Sequence, residues 1–80
     1  MDNISSFIEN LEEAIEGTEP GSFTESTAFK ELANWDSIAA LMTIAMIYCN
    51  YSVQITGDEL MGCTVVSDLF NLTSAKRNAA

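Results

Sequence analysis

Asn34-Trp35-Asp36-Ser37-Ile38 is the stretch on which the fold turns. Before it the chain is acidic, polar and rich in turn residues. From Ser37 to Gly57 it carries no charged residue at all. An Asp-Ser pair at such a border marks the start of a helix, with Asp36 or Ser37 capping its first free N–H groups. Helix N-termini also attract negative groups such as phosphate. The hydroxyl of Ser37 is therefore presented at a helix end. An isolated Asp-Ser is an ordinary cap, so its meaning depends on what the rest of the chain builds around it.

Residues 37 to about 52 read as the second helix. Ile38, Leu41, Ile44, Ala45, Tyr48 and Ser52 make one face, which Ala40, Ile47 and Tyr51 widen. Ala39, Met42, Met46 and Cys49 fill much of the remainder, leaving Thr43 and Asn50 as the polar interior positions. A helix apolar nearly all round is buried or meets a partner. A domain of this size cannot easily bury a whole helix circumference. Part of the strip Ala39, Met42, Met46 and Cys49 is therefore expected at the surface, as an interaction face.

Upstream, residues 2 to 16 read as the first helix, with Ile4, Phe7, Ile8, Leu11, Ala14 and Ile15 forming a single stripe. Glu9, Glu12, Glu13 and Glu16 are expected to face water. Asp2 or Asn3 caps its start, and Gly17 suits a left-handed end. Residues 17 to 35 form a long connection broken by Glu19-Pro20-Gly21-Ser22. Phe23 and Phe29 are the expected anchors of this loop, and Phe29-Lys30-Glu31-Leu32 a helical turn. Loops of this length in small domains tend to be functional or to cross a bundle.

Downstream, Val53-Gln54-Ile55 alternates as a short extended segment. A short helix follows at about 58 to 61, capped by Thr56 or Asp58 and ended by Gly62. Cys63 is a small core residue. The last helix is expected over about 65 to 76, with Thr64 as its cap and Val65, Val66, Leu69, Phe70 and Leu72 as its buried stripe. Asp68 near its start and Lys76 and Arg77 near its end have the right signs for the helix dipole.

The 80 residues are enough for one domain. Twelve acidic against three basic residues give a net charge of -9, which argues against nucleic acid as a partner. There is no histidine, and Cys49 and Cys63 do not form a metal-binding pair. They are expected to be buried free thiols of a cytoplasmic protein, with a disulfide between them as the alternative. The start of the chain does not read as a signal peptide, and the longest apolar stretch, 38 to 49, is shorter than the ~20 residues a bilayer needs.

This order of segments resembles the acyl carrier protein family: small all-α four-helix bundles with three longer helices, a short third helix and a long loop between helices 1 and 2. Asp36-Ser37-Ile38 is similar to the family's Asp-Ser-Leu motif. Tyr51-Ser52-Val53-Gln54-Ile55 stands where the family has an aromatic and then an aliphatic-x-Ile segment. Asp58-Glu59-Leu60 falls in the third helix, and Thr64-Val65-Val66-Ser67-Asp68-Leu69 is similar to the opening of the fourth, with one additional residue.

The resemblance implies that Ser37, flanked by its motif neighbours Asp36 and Ile38, carries 4′-phosphopantetheine. A phosphopantetheinyl transferase would attach it from coenzyme A with Mg²⁺, and acyl-loading and acyl-transfer enzymes would use it. The chain is then a monomeric carrier and a substrate of enzymes, not an enzyme, and no general base is available for a serine nucleophile. One departure stands out: the second helix has none of the carboxylates with which family members usually dock. Apolar docking through Trp35, Ala39, Met42, Met46 and Cys49 is expected instead, in a specialised pathway. A peptidyl or aminoacyl carrier, and an unmodified adaptor using the apolar second helix, are the alternatives.

Overall fold

The computed structural model describes residues 3–79, excluding the side chain of residue 79. Asp2, one of the two candidate caps of the first helix, lies outside the described residues. The described chain is all-helical: α1 (Ile4–Ala14), a 3-10 turn (Phe29–Glu31), α2 (Ser37–Tyr51), α3 (Gly57–Met61) and α4 (Val66–Ala79). No strand occurs among the described residues. The result is a small helical bundle in which α2 packs against each of the other three helices.

Local chemistry sets the ends of these helices. Asn3 caps α1 by accepting the N–H of Ser6 at 2.9 Å. α1 stops at Ala14, two residues short of the expected end, and Gly17 takes the left-handed conformation (φ 88°) within the turn that follows. α2 ends at Tyr51, not Ser52. Ser52 is its left-handed cap (φ 56°), with its N–H donated to the carbonyl of Tyr48. Thr56 and Glu59 form a reciprocal capping box at α3.

Two capping features of α4 differ from the sequence reading. Thr64 is exposed and does not cap it. Instead Asp68 reaches back to accept the N–H groups of Thr64 and Val65. The long loop does the rest, because the carbonyls of Thr27 and Glu25 accept the N–H groups of Val66 and Ser67. Backbone groups that any helix leaves unpaired are thus closed by a segment some forty residues earlier in the chain.

The core is Phe7, Leu11 and Ile15 of the first helical region, Phe23 and Phe29 of the loop, Met46, Ile47 and Tyr51 of α2, and Val53, Ile55, Leu60, Val66 and Leu69 downstream. Phe7 stacks edge-on to Phe70 and lies 5.6 Å from the ring of Tyr51, whose hydroxyl accepts a hydrogen bond from Asn10. The loop anchors Phe23 and Phe29 are buried as expected, and the alternation of Val53 and Ile55 inward with Gln54 outward holds.

Glu12 corrects the expected solvated face. It is 6% exposed, and its two carboxylate oxygens accept the backbone N–H groups of Gly21 and Phe23 at 3.1 and 2.8 Å. The middle of the long loop is therefore held from two sides, by a carboxylate of α1 and by the amides of α4.

Candidate functional site

The site grows from the start of α2. Asp36 adopts an extended conformation and accepts the N–H of Ala39 through Oδ1 at 2.8 Å, while its carbonyl takes the N–H of Ala40. Asp36 is thus the cap, and Ser37 is the first residue of the helix. Ser37 is exposed, and its hydroxyl makes no hydrogen bond among the described residues. The backbone N–H groups of Ser37 and Ile38 likewise have no partner among the described residues. A free hydroxyl beside two free amides at the positive end of a helix dipole suits a phosphate ester on that oxygen.

The loop presents this end firmly. Asn34 donates to the carbonyl of Glu16 and to Thr18 Oγ1, which ties the approach to α2 back to the end of the first helical region. Trp35 is half-buried, its ring edge-on to Phe29 at 5.4 Å between centroids. The indole is spent chiefly as a plug that fixes the loop.

Of the strip expected to face a partner, the structure keeps only half. Ala39 (5% exposed) and Met46 (8%) belong to the core, beside Thr43, whose buried hydroxyl donates to the carbonyl of Ala39. Met42 and Cys49 are exposed as expected. Both thiols are free: the exposed Cys49 agrees with the expected strip and corrects the expectation of two buried thiols, whereas Cys63 is buried. Burial pushes the Cys63 thiol above its ordinary range, and the neighbouring Asp68 adds to the effect.

The outward face also includes residues outside the strip expected at the surface. Ile38, Leu41 and Tyr48 are each more than 60% exposed, and with Met42 and Ala45 they make a charge-free apolar ridge directly below Ser37. Met61 of α3 is also exposed. The spacing carries a cue to the rotation: the small Ala39 shares a face with Thr43, Met46, Ile47 and Tyr51, all of them buried.

The charged contacts gather at the α3–α4 end of the fold. Glu59 of α3 pairs with Lys76 of α4 at 2.6 Å; that hydrogen bond, with the amide of Thr56, holds its carboxyl below the ordinary range. The amides of Val65 and Thr64 lower Asp68 in the same way. Lys30 donates to the carbonyl of Met61 and closes the end of α3. Among the described residues, no three side chains of His, Cys, Asp or Glu gather to hold a metal ion, and no helix is long and apolar enough to cross a membrane.

Compared with family models, curated proteins and solved structures, the chain matches none of them.

Proposed function

We propose that this protein is a carrier of the acyl carrier protein type, with Ser37 as the attachment site of 4′-phosphopantetheine. The observation that carries the reading is the division of labour at the start of α2. Asp36 supplies the cap, so the Ser37 hydroxyl beside it is exposed and unbonded. In a purely structural Asp-Ser pair the serine has no task; here it is the group left free.

Attachment forms a bond from Ser37 Oγ to the phosphorus of coenzyme A that bears pantetheine. The bond to the adenosine bisphosphate portion breaks, and the hydroxyl proton passes to a base of the transferase. The free amides of Ser37 and Ile38 then face the new phosphodiester and fix its orientation. The arm supplies a thiol that holds acyl groups as thioesters. Tethering raises the local concentration of that cargo at a docked enzyme.

Docking falls to the ridge of Ile38, Leu41, Met42 and Tyr48, immediately below the attachment point. Its lack of charge favours partners with an apolar recess over partners chosen by a basic surface, and exposed Met side chains adapt to such recesses. This fits a dedicated acyl pathway in the cytoplasm. The same ridge supports a second reading, an unmodified adaptor, which needs no hydroxyl at position 37.

Intact mass after incubation with coenzyme A, Mg²⁺ and a broad-specificity phosphopantetheinyl transferase tests the proposal. A gain of one phosphopantetheine, absent in Ser37→Ala, is expected. No gain in a folded sample, with a known carrier modified in parallel, would favour the adaptor.

A further inference from the structure

Two adjoining depressions run along the seam between α1 and α2 and share Glu13, Ala14 and Met42, so they form one groove. One end is bordered by Asp36 and Ile38, the two neighbours of Ser37. The other end is bordered by Cys49 and Asn50. Between Ser37 and Cys49 the helix axis advances about 18 Å, which is comparable with an extended phosphopantetheine arm.

The walls of the groove differ in chemistry. α2 contributes Ile38, Met42, Ala45 and Cys49. Along the groove stand Asn34, Asn10 and Asn50, each of which spends its side-chain NH₂ on the protein itself. Their amide oxygens remain as acceptors. A phosphopantetheine arm alternates methylene and methyl groups with one hydroxyl and two amides. The groove's amide oxygens can accept its N–H and O–H donors while its carbonyls stay on the solvent side, and its methyl and methylene groups meet the apolar wall.

Resting on the carrier reading above, we infer that the α1–α2 groove holds the arm between transfers, with its thiol end beside Cys49. The groove is open to solvent and flanked on its α1 side by Glu13 and Glu16, so it takes the polar arm and not a long alkyl chain. The competing path lies down the exposed ridge, where Ser37, Leu41 and Tyr48 share one face of α2. Tyr48 stands at nearly the same height on the helix as Cys49, but outside the groove lining.

The two paths are separated by disulfide closure in the loaded protein. Diamide takes two hydrogens from the arm thiol and a cysteine thiol, leaving a disulfide and the hydrazine. Cys63 is buried and serves as an internal spectator. The wild-type chain is compared with a Cys49→Ala/Tyr48→Cys double variant, each loaded first and verified by intact mass.

The groove predicts a loss of two hydrogens in wild type, mapped to an arm–Cys49 link. Its closure should be about tenfold or more faster than at position 48, the difference being one of effective concentration. Met42→Glu, placed in the groove wall, should slow it. Equal rates at the two positions, or only intermolecular disulfides, overturn the inference while the verified loading leaves the carrier reading intact. Failure to load overturns the carrier reading and this inference with it.

Discussion

The carboxylate of Glu12, on α1, accepts the backbone N–H of Phe23 at 2.8 Å, and does so while buried. Together with its second bond, to the N–H of Gly21, this contact turns a long loop into a fixed strut. Glu12→Ala removes the acceptors of two amides, one of them at a buried residue. Hydrogen bonds to a charged group are worth about 1.5–3 kcal/mol each, so a loss of about 3–6 kcal/mol is expected in urea unfolding. Glu9→Ala, on the exposed side of the same helix, should change it by less than about 0.5 kcal/mol.

At the start of α2 the cap and the modified group separate by mutation. Asp36→Ala loses the bond to the N–H of Ala39 and should cost about 1 kcal/mol in stability. Ser37→Ala touches no internal contact and should leave the melting temperature within about a degree or two, yet abolish loading by the transferase. Thermal melts beside intact mass read both effects.

The two methionines of α2 should behave oppositely. Met46→Ala empties a core position and should destabilise by about 2–5 kcal/mol. Met42→Glu lies at the surface and should leave stability nearly unchanged while weakening acyl transfer by partner enzymes. Unchanged partner kinetics in Met42→Glu would remove the ridge from the docking surface.

Acid should loosen the α3–α4 end first. Glu59 and Asp68 both have lowered pKa values, the first through Lys76 and the second through the amides of Val65 and Thr64. A carboxyl lowered on folding contributes stability that is present above its unfolded pKa, near 4, and is lost as pH falls through the folded value. Melting temperature against pH should therefore drop below about pH 4. The drop should be shallower in Asp68→Asn and in Glu59→Gln, each of which starts less stable at neutral pH.

The thiols give a direct test of the orientation of α2. In the folded protein one cysteine should react promptly with a disulfide reagent, and peptide mapping should place it at Cys49. Cys63, buried and with a raised pKa, should react only on unfolding. Two slow thiols would mean that α2 is turned the other way.

That orientation is where reading the chain alone went astray. In α1 the stripe of Phe7, Leu11 and Ile15 is bounded by carboxylates, so its buried side is legible and the structure agrees. In α2 apolar residues occur on every side, and periodicity cannot choose among them. Ile38, Leu41 and Tyr48 share one apolar face, and nothing in their spacing says that this face is the exposed one. Packing chose the face with the small Ala39, which admits a neighbouring helix, and with Tyr51, whose hydroxyl finds Asn10. Glu12 was equally hidden, since its partners are backbone amides of an irregular loop that no side-chain pattern announces.

By itself the sequence determined the helices, their order, the capped start of α2 and the presented Ser37, because caps, breakers and single-stripe periodicity are local and act within a few residues. Only the tertiary structure decided which side of α2 meets solvent, that Glu12 and α4 brace the loop, and that Cys49 is free at the surface. Those outcomes depend on which surfaces compete for burial across the whole chain, and no local pattern encodes the winner.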